Sequence, residues 1–185
     1  HNGDVAGSYG SMGQQPFETI LEAHHAEIYR YLRRVTSRAA EADDLSQETF
    51  LRAYRAYRAL PSDANVRAWL FTIATNLARN HFRSEGRRSR AHAAVIVSRS
   101  ALDDGAGPEG ETLFNETRAR VEAVVERLPL RQRLAFILRK IHDVDYEVIA
   151  RSLDCSAETA RAHVFQALRK IRQSLGESQQ MEIQR

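Results

Sequence analysis

The chain has a single cysteine, Cys155, among 185 residues. An intramolecular disulfide is therefore excluded, and so is any zinc site built on paired cysteines; a reducing cytoplasm fits this usage. Proline is also scarce: Pro16, Pro61 and Pro129 sit where a periodic pattern starts or stops, and Pro108 lies in a stretch without one. No apolar run is long enough to cross a bilayer, and no signal-peptide pattern is present, so no membrane contact of its own is expected. Val, Ile and Thr are scattered and never alternate over a strand's length. Catalytic constellations are missing as well. There is no glycine-rich phosphate loop, no H-E-x-x-H and no nucleophile beside a base, while His81, His92, His142 and His163 are dispersed. The adjacent His24 and His25 point to different sides of a helix and suit a surface better than a metal. These gaps argue against an enzyme and predict no cofactor and no metal.

What remains is a sequence dominated by Ala, Arg, Leu and Glu, 43% hydrophobic and 28% charged. It predicts an all-α protein of two small helical domains joined by a flexible linker, the C-terminal one carrying a helix-turn-helix. Residues 1–15 are rich in Gly and Ser and read as a disordered tail, part of it a cloning remnant since the chain does not begin with Met. The first domain covers 16–90. Its first helix opens at Pro16 and carries the stripe Phe17, Ile20, Leu21, His24, Ile28, Leu32 and Val35. A second helix is expected from about Asp43 to Leu60, with Leu45, Thr49, Phe50, Tyr54, Tyr57 and Leu60 inward. Asp44, Ser46, Gln47 and Glu48 then fall on the polar side of its first turns, where acidic groups favour the helix. A third is expected from about Val66 to Arg83, with Val66, Leu70, Ile73, Leu77 and Phe82 toward the core.

Residues 91–117 hold Asp103, Asp104, Glu109 and Glu111 among glycines and read as an acidic, flexible linker. The second domain covers 118–176, and 177–185 read as a tail. Asp145 is a plausible helix N-cap. Tyr146, Ile149, Ala150 and Leu153 line one helix, Asp154-Cys155-Ser156 make a turn, and Ala160, Val164, Leu168, Ile171 and Leu175 stripe the last helix. Cys155 suits a small apolar turn residue better than a redox sensor.

Two stretches carry nucleic-acid chemistry. From Arg118 to Leu175 there are twelve basic residues and seven acidic ones. The later basic residues gather on the outer side of the last helix with Arg161, Ala162, Phe165, Gln166 and Arg169. A helix from Ala157 to Arg172, at ~1.5 Å per residue, is long enough to lie in a major groove, its cations on phosphates and Arg161, Phe165 and Gln166 near base edges. The other stretch runs from Trp69 to Arg90. Trp69, Thr72, Asn76, Arg79, Asn80 and Arg83 share a side, followed by Arg87, Arg88 and Arg90. An aromatic ring, amides and cations together suit single-stranded nucleic acid.

In order, DLSQETFLRAYRAYRAL at 44–60, VRAWLFTIATNLARNHFRSEGRR at 66–88 and RLPLRQRLAFILRKIHDVDYEVIARSLDCSAETARAHVFQALRKIR at 127–172 resemble the extracytoplasmic-function (group IV) sigma factors of bacterial RNA polymerase. The resemblance covers nearly all the chain from Phe17 to Leu175. It implies that Asp44, Gln47 and Glu48 dock on the clamp coiled coil of core polymerase. It implies that Asn65, Trp69, Thr72, Asn76, Arg79, Asn80 and Arg83 melt and read the minus-ten element. Arg161, Ala162, Phe165, Gln166 and Arg169 would enter the groove of the minus-thirty-five element. The expected partners are core RNA polymerase, promoter DNA and an anti-sigma factor, in the cytoplasm, with the linker threading the channel that the transcript later fills. The chain departs from the family at His163 and Gln166, where many members have Arg, and at Asp154, where many have Gly. The rival reading is a stand-alone helix-turn-helix regulator, which would not need a docking helix.

Overall fold

The structure is a computed structural model that describes residues 14–93 and 112–183, with side chains described over 14–88 and 117–176. Seven helices make up the described residues: α1 Phe17–Thr36, α2 Ala39–Tyr57, α3 Val66–Ala93, α4 Thr112–Arg127, α5 Leu130–Lys140, α6 Tyr146–Leu153 and α7 Ala157–Ile183. The all-α, two-domain expectation holds. Most of the expected linker and the first thirteen residues lie outside the described residues. Gln14 and Gln15, assigned above to the tail, are held: Gln14 Nε2 donates to the carbonyl of Tyr57 at 2.6 Å, and Tyr57 Oη donates to that of Gln15 at 2.8 Å.

Helices α1, α2 and α3 enclose the first core. Ile28, Tyr31, Leu32 and Val35 of α1 meet Ala42, Leu45, Phe50 and Ala53 of α2 and Leu70, Ala74, Leu77 and Ala78 of α3, all buried. Helix α2 starts four residues earlier than its pattern suggested and ends at Tyr57. Ala39, Ala40 and Ala42 are the best helix formers, and Arg38 pairs with Glu41 at 3.0 Å across the first turn. Glu41 is therefore the first-turn acid, while Asp44 and Glu48 lie a turn and more further on. The dipole that was to explain their position fades within one turn, so the buried face must explain it instead. Tyr54 is 62% exposed rather than inward, touching Phe17 edge-on with ring centroids 5.3 Å apart. Ser46, placed above on the polar side, is buried.

Helix α3 continues through the arginine run, ten residues past its expected end. Gly86 stands within it, with nothing close to the space a side chain would take. The Asn65 side chain caps its start, Oδ1 accepting from the amide of Ala68 at 2.9 Å. Helices α4 to α7 build the second core from Val125, Leu128, Leu134, Ile137, Leu138, Ile149, Leu153, Ala160, Val164, Ala167 and Ile171. Helix α4 begins at Thr112, inside the stretch read as linker, and α7 runs on to Ile183, through most of the expected tail. Asp145 does occupy the N-cap of α6, but its side chain makes no cap hydrogen bond.

The two domains pack against each other, α3 on α6 and α1 on α5. At the centre of this seam the His142 ring lies 5.7 Å from Tyr31 and 5.2 Å from Phe71, and both of those rings are fully buried. Burying a ring of this size is worth roughly 1.5–3 kcal/mol. Around them Arg67 grips both oxygens of Glu27 and donates to the His142 carbonyl. His142 Nδ1 stands 3.5 Å from Glu27 Oε1. Arg133 of α5 lies over the Phe82 ring at 4.8 Å. Phe71 and His142, which drew no structural role in the sequence, are the anchors of this interface.

Candidate nucleic-acid interface

The buried face of α2 (Ala42, Leu45, Ser46, Thr49, Phe50, Ala53 and Tyr57) turns Asp44, Gln47 and Glu48 outward. Asp44 and Gln47 are exposed, and Glu48 is held by Arg52 at 2.6 Å one turn on. Leu51, half exposed, continues the same outer face. An apolar side chain between charges makes a firmer docking patch than charges alone. The signal in the sequence is an apolar residue at Leu51 that falls outside the buried stripe of α2.

On α3 the seven candidates divide. Asn65, Asn76, Asn80 and Arg83 are exposed, although the Asn65 oxygen is occupied by its cap. Trp69 is half-buried and packs on the core. Thr72 and Arg79 face the other domain. Ser152 Oγ of α6 stands 3.2 Å from Thr72 Oγ1, and Arg79 Nη1 donates to the Ser152 carbonyl at 2.9 Å. Arg131 of α5 donates to the neighbouring carbonyl of Leu153 at 2.9 Å. Two guanidinium groups, one from each domain, thus close the C-terminus of α6, where unpaired carbonyls carry partial negative charge. Burial and the nearby Arg131 hold the pKa of Arg79 below its ordinary value.

The helix-turn-helix is as expected. Asp154 adopts the left-handed conformation, φ 54° and ψ 58°, and the Cys155 amide donates back to Ala150 at 3.0 Å. Asp occupies this region more readily than most non-glycine residues. Ser156 Oγ accepts from the Thr159 amide at 3.1 Å and starts α7. On its outer side Arg161, Ala162, Phe165 and Arg169 are exposed, Phe165 by 64%. Arg161 leans on the Tyr146 ring at 4.9 Å, with Glu147 3.6 Å away. Gln166 is half-buried and bonded to Gln132 at 2.7 Å. Burial, with Arg131 nearby, lowers the pKa of His163, so this position supplies a neutral ring at pH 7 where an arginine would supply charge.

Among the described residues, one group could bring three ligand atoms together: Glu41, His81 and Glu85, within 4.8 Å of one another. Arg38 occupies the other oxygen of Glu41, and His81 Nε2 lies 3.4 Å from the carboxylate. The group brings α2 and α3 side by side.

This combination defines a two-domain helical protein with a helix-turn-helix in its second domain and an outward polar face on α2. Residues 20–88 match Sigma-70 region 2, and residues 118–171 match Sigma-70 region 4. The RNA polymerase sigma-H factor of Pseudomonas aeruginosa is 32% identical over 168 residues, 88% of this chain and 87% of that protein. The ECF RNA polymerase sigma-E factor of Escherichia coli (strain K12) is 32% identical over 162 residues, 81% and 85% of the two. The chain belongs to the extracytoplasmic-function sigma factors of RNA polymerase. Among solved structures, the sigma factor RpoE in complex with the anti-sigma factor NepR from Bartonella quintana shares the fold. Its TM-score is 0.70 at 24% identity, covering 86% of this chain and 96% of that one. CnrH in complex with the cytosolic domain of CnrY follows with a TM-score of 0.62 at 20% identity, covering 87% and 88%. Among the described residues no helix is long and apolar enough to cross a membrane.

Proposed function

We propose that this chain is a dissociable promoter-recognition subunit: it binds core RNA polymerase in the cytoplasm, brings it to one promoter class and turns over no substrate of its own. Asp44, Gln47 and Glu48 dock on polymerase. Asn76, Asn80 and Arg83, joined by Asn65, Trp69, Thr72 and Arg79, act on opened DNA of the minus-ten element. Arg161, Ala162, Phe165, Gln166 and Arg169 act on duplex at the minus-thirty-five element. An anti-sigma factor is the expected restraint on its activity, since the sigma factor RpoE of Bartonella quintana, which shares this fold, is in complex with one. The observation that carries the reading is the outward triad on α2. A stand-alone helix-turn-helix regulator would leave that face idle.

In this reading the closed arrangement is one the chain must leave, because α6 occupies Thr72 and Arg79. The test is co-purification of core polymerase with the Asp44→Lys, Glu48→Lys double variant. Exposed interface charges set steering and register, so binding should be lost while the helical circular-dichroism spectrum and melting temperature stay unchanged. Recovery of polymerase equal to wild type would remove the docking assignment.

A further inference from the structure

Gln166 reaches the outer face of α7 but is not free to choose how it presents itself. Lys170, one turn further on, donates from Nζ to Gln132 Oε1 at 3.0 Å. An ammonium can only donate, so Gln132 must offer its oxygen to Lys170 and its amide nitrogen elsewhere. That nitrogen lies 2.7 Å from Gln166 Oε1. The chain of donors therefore fixes both amides: the Gln166 oxygen is turned back toward α5, and its NH2 is the outward group. Among the described residues that NH2 has no hydrogen-bond partner.

From this relay we infer that Gln132 on α5 is a positioning residue for promoter sequence, making Gln166 a donor-only reader. A glutamine free to turn pairs with adenine through both its oxygen and its nitrogen. With the oxygen withdrawn, it suits a base edge that presents only acceptors, of which guanine, with O6 and N7, offers two. Lys170 is part of the device although it need not touch a base. Neither position stands out in the sequence, because Gln132 lies 34 residues away from Gln166 on another helix. The inference rests on the proposed placement of α7 in the major groove.

The experiment is selection of duplex sites from a randomised upstream library by the full chain in holoenzyme, read by sequencing. Gln166→Ala identifies the position concerned, as the one where preference flattens. There the wild type should favour guanine over adenine by roughly tenfold, the size of one good base contact. Gln132→Glu should invert the choice. A carboxylate accepts from both Lys170 and Gln166, so the Gln166 NH2 turns inward, its oxygen turns outward, and bases with an exocyclic amine, adenine or cytosine, are selected. Lys170→Met should relax the preference without inverting it. A change in packing alone would weaken binding to all sites alike, and melting temperature monitors it separately. If Gln166→Ala flattens a position but Gln132→Glu leaves the choice there unchanged, the relay is wrong while the groove placement stands. If Gln166→Ala changes no position, the groove placement fails and the inference with it.

Discussion

The two helices proposed to face DNA, α3 and α7, are prepared to different degrees. Helix α7 presents Arg161, Ala162, Phe165 and Arg169 to water, and the restraints on its polar groups come from its own domain, through Tyr146, Glu147 and Gln132. Helix α3 presents Asn76, Asn80 and Arg83 to water but gives Thr72 and Arg79 to the opposite domain. Arg79 sits on a helix C-terminus, a weak anion, in the manner it would sit on a phosphate. A duplex reader can stay exposed because duplex contacts are checked by base-edge geometry. A site for unpaired strands built from amides, an aromatic ring and cations also holds strands of other sequence by stacking and charge, and here part of it is covered.

The strongest way to break the contrast is to make the closure permanent. With Cys155→Ser as background, Thr72→Cys and Ser152→Cys place thiols where two hydroxyl oxygens now stand 3.2 Å apart. Oxidation should abolish binding of a minus-ten single strand, by two orders of magnitude or more in affinity, leave upstream duplex binding by α7 unchanged, and be reversed by reductant. Oxidised protein that still binds the single strand would show that the seam covers nothing needed.

Loosening the seam should act in the opposite sense and more weakly. Arg67→Ala removes the paired grip on Glu27 and the bond to the His142 carbonyl. Hydrogen bonds to charged groups contribute about 1.5–3 kcal/mol, and partial exposure of Arg67 reduces that figure. A gain of up to roughly tenfold in single-strand affinity, with a larger radius of gyration in solution scattering and unchanged duplex binding, is expected.

Acid should loosen the same seam. Burial, the largest influence, holds the His142 pKa below its ordinary value despite Glu27, with Arg34 and Arg67 opposing protonation. On opening, the ring regains its ordinary value near 6.5 and takes up a proton that the closed form refuses. Closure is therefore complete above about pH 6.5 and weakens as pH falls toward the lowered value. The Glu27 carboxyl, held low first by its hydrogen bond to Arg67, adds a second loss at more acid pH, in the same direction. Scattering between pH 7.5 and 5.5 should show expansion, and His142→Asn should remove the upper part of it. A radius independent of pH would exclude His142 from control of the seam.

The smallest effect is expected in the turn of the helix-turn-helix. Asp154→Gly relieves a left-handed backbone at φ 54° but makes the unfolded chain freer. The two nearly cancel, so stability in thermal melts should change by less than about 1 kcal/mol, with seam and duplex binding untouched.

Within each domain the helical stripes were readable because each helix buries one face against its sequence neighbours. Leu70 and Leu77 obeyed that rule, as did Ala160, Val164 and Ile171. Phe71 and Thr75 did not. They are buried on a second arc of α3, and Tyr31, beside them, bonds Thr75 at 2.9 Å. This arc packs on Tyr31 of α1, and His142 of the other domain closes over Tyr31 and Phe71; lying off the main stripe, it merges with the polar side in a periodicity reading. His142, in a loop, had no helical face by which to be placed. At the site, the outward placing of Asp44, Gln47 and Glu48 on α2 and the outer residues of α7 followed from spacing. The capping role of Asn65 and the turning of Gln166 toward Gln132 are local hydrogen-bond choices that spacing leaves open.

The exposure of Asp44 and Gln47 in the closed form has an energetic consequence for assembly. A ligand that binds closed and open states equally well moves no population, however tight it is. Contact with the α2 face alone is of this kind, because that face is as available before opening as after. If the seam is worth about 3 kcal/mol, fewer than about 1% of free chains are open, and intrinsic single-strand affinity is diluted by more than 100-fold. The free energy for opening must then come from contacts that only the separated domains can make: a single strand on the uncovered Thr72 and Arg79, or a partner that engages both domains at once. In the proposed reading, docking on α2 would tether the chain, and only a contact denied to the closed form would shift the equilibrium.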